Sequence, residues 1–275
     1  MVELKQLSKS FGRKQAVCDV TYSFQNGVYG LLGPNGAGKT TMIRCMLGLY
    51  SHKGNVIIGD SNSTNAKHRI GYLPQKNNAF PGLTVEEHLQ YFANLKKIEK
   101  QEISAEVERV LNLVNLTDQK TVKGRKLSGG MIRRLGIAQA LLGKPELVIF
   151  DEPTTGLDPE ERIRYKNIIR HVGQESTVLM STHIVEDVEA VCNRILIMKE
   201  GSIVASGTQE EISQYAEGRV YELPREQQLD SWYVEKELMR DEKEYIRILT
   251  NEDVEAEAMK PTIEDGYLCV LKGIK

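Results

Sequence analysis

Up to about residue 210, short apolar runs alternate with segments whose apolar positions recur every three or four residues, the pattern of an α/β domain. Val28-Tyr29-Gly30-Leu31-Leu32 runs straight into a glycine-rich stretch, which predicts a buried strand followed by a turn. After the turn, Met42, Ile43, Met46 and Leu47 fall at helical spacing and predict a helix over 40–49. Leu147–Phe150, Thr177–Met180 and Ile195–Met198 predict three more buried strands. A helix is expected from Pro159, a residue suited to a first turn, to Val172, with Ile163, Ile168, Ile169 and Val172 apolar. Lys199-Glu200-Gly201-Ser202 predicts a hairpin into Ile203–Ser206.

The middle, from Thr84 to Gly143, reads as mostly helical. Thr84 and Glu87 form a capping-box pattern ahead of Leu89, Phe92 and Leu95. Ile103, Val107, Val110, Leu111 and Val114 make an amphipathic stripe expected to pack into a core. Beyond Gly207 the chain turns rich in Glu, Asp, Arg and Lys, with alternating runs at Arg219–Leu223 and Tyr245–Leu249 that suggest a small α/β appendage. The acidic stretch Glu252, Asp253, Glu255, Glu257 reads as a solvated helix face.

Composition narrows the function. A net charge of −2 gives no electrostatic case for nucleic acid as a partner. No apolar run approaches the roughly 20 residues that a membrane helix needs, and the N-terminus has no basic region leading into an apolar core. Cys18, Cys45, Cys192 and Cys269 are far apart and form no CxxC pair, which argues for reduced thiols rather than a zinc site or disulfides.

Three segments carry chemistry. Gly33-Pro34-Asn35-Gly36-Ala37-Gly38-Lys39-Thr40 fits GxxxxGK[ST], in which backbone N–H groups and the next helix's positive end converge on phosphates. Lys39 can reach the β- and γ-phosphates, and the Thr40 hydroxyl is placed to ligate Mg²⁺. Leu147-Val148-Ile149-Phe150-Asp151-Glu152 is an apolar strand ending in two carboxylates. Asp151 is expected to hold Mg²⁺ through a water, and Glu152 to polarise the attacking water. Leu127-Ser128-Gly129-Gly130-Met131 opens a helix whose N-cap serine and glycines offer donors to an anion.

Together these segments resemble the nucleotide-binding subunits of ATP-binding-cassette transporters over about Val2 to Ser213. The likeness includes the phosphate loop to Thr41, Tyr72-Leu73-Pro74-Gln75, Leu127–Met131, the strand to Glu152, the Gly156-Leu157-Asp158 turn and Ser181-Thr182-His183. The resemblance implies a phosphate-loop NTPase (RecA-like) α/β core with an antiparallel β subdomain and a helical subdomain at about 76–145. Residues 1–213 would form the nucleotide-binding domain and 214–275 a C-terminal accessory domain. It implies ATP and Mg²⁺ as cofactors, and two such domains closing head to tail, each phosphate loop facing the partner's LSGG helix.

On that resemblance Ser128 and Gly130, with Gly129 between them, would bind the γ-phosphate held by the other subunit. Gln75 would touch Mg²⁺ and the water, His183 would contact the γ-phosphate, and Asp158 would link the two sites. Phe11, before Gly12, would stack on adenine. A membrane-spanning permease would dock on 77–87, the second ATPase would be a copy of this chain or a homologue, and the assembly would sit at the inner face of the cell membrane. Met131 stands where the family's commonest motif has Gln. LSGGM followed by Arg-Arg-Leu-Gly-Ile-Ala-Gln-Ala is similar to the bacterial exporter branch of bacitracin- and lantibiotic-type systems, which implies a peptide or antibiotic-like cargo.

Two other readings compete. Soluble relatives acting on ribosomes normally carry two cassettes in a chain, and one phosphate loop is present here. DNA-repair relatives insert a long coiled coil, for which the interval from Gln75 to Ser128 is too short. A regulatory GTPase would resemble an Asn-Lys-x-Asp pattern, which the sequence lacks.

Overall fold

The computed structural model describes residues 1–155, 157–240 and 243–274. Strands β1 (Val2–Phe11) and β2 (Lys14–Phe24) pair as an antiparallel hairpin. β3 (Gly27–Leu32) leads through the glycine-rich loop to α1 (Lys39–Met46). That helix stops short of the expected Leu49, which is exposed, because the chain turns at Gly48 with φ +66°. β4 (Lys53–Ile58) and β5 (Ser61–Asn62) complete an antiparallel sheet in the order β2-β1-β4-β5.

β6 (Ile70–Leu73) precedes the helical segment, made of α2 (Val85–Leu95), α3 (Ile103–Leu113) and α4 (Gly129–Leu141). β7 (Leu147–Asp151), α5 (Pro159–Gly173), β8 (Thr177–Thr182), α6 (Val185–Val191), β9 (Arg194–Lys199) and β10 (Ser202–Gly207) follow. The central sheet runs β10-β9-β3-β8-β7-β6 and is parallel apart from β10.

Its side chains divide with period two. Tyr29, Leu31, Ile149, Leu179 and Met198 face a core shared with β1, β2, β4 and α1. Val28, Leu32, Phe150, Met180 and Ile197 face a second core shared with the helices. β3, β7, β8 and β9 are thus covered on both faces, which fixes their register and the point where their ends emerge.

The helices follow their sequence signals. The Glu87 N–H donates to Thr84 Oγ1 at 3.1 Å, and the Thr84 N–H to Glu87 Oε2 at 2.7 Å. The stripe from Ile103 to Val114 is buried, whereas Leu95, in the last turn of α2, is exposed. Ile163 is a correction: it is 62% exposed. The buried stripe of α5 is Tyr165, Ile168, Ile169 and Val172, and a residue two before Tyr165 lies on the opposite side of a 3.6-residue helix.

α7 (Gln209–Ser213) connects to β11 (Val220–Pro224), β12 (Tyr233–Arg240), β13 (Lys243–Leu249) and α8 (Ile263–Lys272). These strands form an antiparallel sheet in the order β11-β13-β12. The acidic stretch from Glu252 to Glu257 is not a helix face, contrary to expectation. It runs irregularly beside β11, held by Thr250 N–H to Arg219 O at 3.1 Å and Met259 N–H to Val220 O at 2.8 Å, while Trp232 Nε1 donates to Glu252 Oε2 at 2.9 Å. α8 buries Ile263 and Tyr267 in the core shared with the main helices, and Lys199 Nζ donates to Leu271 O at 2.7 Å.

Candidate functional site

The site forms where parallel strands end and their loops diverge. After β3 the backbone winds through 33–38 into α1, whose first-turn N–H groups have no helical partners and point back at the loop. Gly38 caps α1 with φ +109°, and a Cβ there would stand 2.4 Å from Ala16 O, so no other residue fits. Lys39 is buried. Its Nζ donates to Gly33 O at 2.5 Å and Pro34 O at 3.3 Å, which folds the side chain over the loop. Burial lowers the pKa of this ammonium, and the nearby Glu152 and Asp151 act against that shift.

A cleft of about 580 Å³ opens above the loop. Asn35 to Thr41 line it together with Phe11, Gln75 and Glu152, and Lys14, Gln15, Ala16, Glu200 and Gly201 complete the wall. Gly33 and Pro34 do not line it; their carbonyls are occupied by Lys39. Phe11 is 47% exposed, with Lys9 Nζ over its ring at 5.0 Å and Tyr50 edge-on at 5.5 Å.

β7 delivers the two acids to different surroundings. Asp151 is buried, and burial raises its carboxyl pKa, only partly opposed by the bond from Ser181 Oγ at 2.5 Å. The chain then bends sharply: Glu152 has φ +48°, a left-handed conformation costing a non-glycine residue about 1–3 kcal/mol. Its N–H donates to Ser181 O at 3.1 Å and Ser181 Oγ at 3.2 Å, so one hydroxyl orders both acids. The Glu152 carboxylate meets His183 Nδ1 at 3.0 Å through both oxygens. An acceptor-only carboxylate there selects the tautomer with the proton on Nδ1. The Thr154 hydroxyl donates to buried Asp187, which ties the loop after Glu152 to the helix after His183.

Ser128 caps α4, its Oγ accepting from the Met131 N–H at 3.3 Å. Ser128 and Gly129 are exposed, a Cβ at Gly129 would meet nothing within 4 Å, and Gly130 adjoins Glu161. None of the three lines the cleft of its own chain. Asp158 caps α5, accepting from the Glu161 N–H at 2.8 Å. Gly156, in the turn before it, lies outside the described residues.

The model of the family described as "ABC transporter" matches residues 18–155. The chain belongs to that family. This ABC protein is 36% identical over 219 residues to the linearmycin resistance ATP-binding protein of Bacillus subtilis, covering 77% of this chain and 70% of the relative. It is 38% identical over 213 residues to the Nod factor export ATP-binding protein I of Bradyrhizobium diazoefficiens, covering 75% and 70%. Among solved structures, an ATP-binding subunit of an ABC transporter aligns with TM-score 0.70 and 28% identity, covering 78% of this chain and 92% of that one. The chain is thus an ATP-binding subunit of a transporter, and an ATPase. Among the described residues no helix is long and apolar enough to cross a membrane.

The donor set of this ABC subunit fits a hard cation. Thr40 and Gln75 line the cleft, and buried Asp151 stands beneath it, all oxygen donors of the type Mg²⁺ takes. No group of three or more His, Cys, Asp or Glu able to hold a metal occurs among the described residues. The ion would therefore need phosphate oxygens as well, as Mg²⁺ commonly does.

Sequence reasoning missed Arg133, whose guanidinium is buried beneath the site. The signal was available: it shares a helical stripe with Gly136, Ile137 and Ala140, where a charge is out of place. Also missed was the role of Ser181, which the pattern Ser181-Thr182-His183 contains but does not explain.

Proposed function

We propose that this chain works as one half of a head-to-tail ATPase pair that drives a separate membrane-spanning permease. The observation carrying the reading is the Glu152 carboxylate, set at the mouth of the phosphate-loop cleft and bonded to His183 at 3.0 Å. The nucleotide's phosphates rest on Asn35 to Thr41, with Lys39 leaving its loop carbonyls to meet the β- and γ-oxygens. Phe11 stacks on adenine. Mg²⁺, held by Thr40, Gln75 and Asp151, neutralises charge on the phosphates when bound. Glu152 accepts the proton of the attacking water as general base. His183 keeps that carboxylate aimed and contacts the γ-phosphate.

Ser128, Gly129 and Gly130 complete the partner's site rather than their own, which their exposure on a surface away from the cleft supports. Asp158 joins the two sites across the pair, whose second member is another copy or a homologous ATPase. Residues 1–213 are read as the nucleotide-binding domain and 214–275 as an accessory domain. The permease docks on 77–87, which brings the chain to the inner face of the cell membrane. Relatives named for linearmycin resistance and Nod factor export favour outward transport, and the LSGGM branch favours a peptide or antibiotic-like cargo.

Glu152→Gln tests the core of this reading. It is expected to keep ATP binding, lower turnover by at least about a hundredfold, and accumulate an ATP-bound dimer in size-exclusion chromatography. Normal hydrolysis by the variant would remove Glu152 from its role.

A further inference from the structure

α4 carries two features of opposite exposure. Ser128 caps its outer end, and about one and a half turns later Arg133 points inward. Among the described residues no carboxylate pairs with this guanidinium. Its donors go to uncharged oxygens of two loops: Nη1 to Pro74 O at 3.0 Å, Gln75 O at 2.9 Å and Asn77 Oδ1 at 3.3 Å, Nε to Pro153 O at 3.1 Å, and Nη2 to Glu152 O at 3.0 Å. Burial lowers its pKa, so keeping an unpaired cation here is unfavourable unless these bonds serve a purpose.

That purpose is visible in what they hold. Glu152 sits in a left-handed conformation that persists only if both flanking peptides are fixed. Ser181 fixes the N–H side, and Arg133 fixes the carbonyl side. The same guanidinium grips the carbonyls of the two peptides on either side of Gln75. A second contact presses that loop onto α4: Asn77 Nδ2 donates to Ile132 O at 2.8 Å, in a gap that exists because Gly136 has no side chain. A Cβ there would stand 2.3 Å from Asn77 Nδ2 and 2.7 Å from Leu73 Cδ1.

We propose that Arg133 is a positioning residue for hydrolysis: it locks the backbone of Glu152 and of Gln75 to α4, the helix that presents Ser128 outward. It does not line the cleft and acts through Glu152 and Gln75, so the inference rests on the roles proposed for those residues. Movement of α4 against a partner's nucleotide is thereby transmitted to the aim of this chain's own general base. A lysine cannot replace it, because one ammonium cannot span oxygens on two loops.

The experiment compares Arg133→Lys and Arg133→Ala with Glu152→Gln and the double variant Arg133→Ala/Glu152→Gln in the full chain. Steady-state ATPase rates, equilibrium binding of a fluorescent ATP analogue and thermal melting are measured for each. Both Arg133 variants are expected to lose at least about tenfold in kcat while the analogue's Kd stays within about twofold. Added ethylguanidinium is expected to restore part of the rate to Arg133→Ala only. The double variant is expected to lose far less than tenfold relative to Glu152→Gln, since the general base that Arg133 positions is already gone. Turnover within threefold of the parent in both variants would overturn the proposal. So would a proportionate loss of nucleotide affinity, or loss of the folded state in both, because Arg133 would then be a structural support. Normal hydrolysis by Glu152→Gln would instead refute the underlying assignment, which separates the two failures.

Discussion

Glu235→Gln is expected to stabilise the protein above pH 7 and to change little near pH 4.5. Glu235 belongs to β12 of the β11-β13-β12 sheet, where Arg247 is ringed by three acids: Glu222 at 3.2 Å, Glu235 at 2.9 Å and Asp265 at 2.7 Å. One guanidinium cannot neutralise all three. Burial raises the pKa of Asp265, but bonds from Arg247 and from Thr262 more than offset that and hold it below the usual range. Glu235 takes the remainder. Burial, and then the shared bond and charge of Asp265, push it from an ordinary 4.5 up to about 7. The folded protein therefore binds this proton more tightly than the unfolded chain, and its contribution to stability is lost as pH rises from about 4.5 through about 7. The two values correspond to roughly 3 kcal/mol at alkaline pH. Glutamine reproduces the protonated acid, with a donor for Asp265 and no charge, so it recovers most of that amount. For a chain of this size the gain corresponds to a rise in melting temperature of several degrees, about 2–4 °C per kcal/mol. Melting curves at pH 5, 6, 7 and 8 for both proteins measure it. An equal gain at pH 5 and pH 8, or none at pH 8, would refute the reasoning.

Two further outcomes are expected. Lys39→Ala removes the cation that folds over the phosphate loop, and ATP hydrolysis should fall by at least about a hundredfold; an unchanged phosphate-release rate would sink the loop assignment. Phe11→Ala should weaken ATP binding by about five- to 150-fold with kcat nearly preserved, the loss of one stacking contact worth about 1–3 kcal/mol; unaltered affinity would place the base elsewhere.

The local signals were those the sequence stated most clearly. The phosphate loop is legible because its geometry depends on glycines within one short segment, and Asp151 because a strand covered on both faces must end where its apolar run ends. The capping box at Thr84 and Glu87 is equally self-contained. What sequence could not reveal depends on which neighbour covers a face. Ile163 is apolar yet lies outside, because Tyr165 and not Ile163 fixes the buried stripe of α5. The segment from Glu252 to Glu257 is polar enough for a solvated helix, but Thr250 and Met259 at its flanks bond to Arg219 and Val220 across the appendage instead. The stripe position of Arg133 hints at burial, but its role is not legible, because its acceptors sit 19 to 59 residues away along the chain.

The placement of α8 has a consequence for biosynthesis. Ile263 and Tyr267 fill the same core as Val185, Val188 and Ile212, and Leu271 receives the Lys199 ammonium. A growing chain that has completed both halves of its ATP cleft still shows a greasy flank until the segment around residue 270 leaves the ribosome. Helix α8 acts as a closing plug for that core, and truncated products lacking it should be selected out by chaperones and proteases.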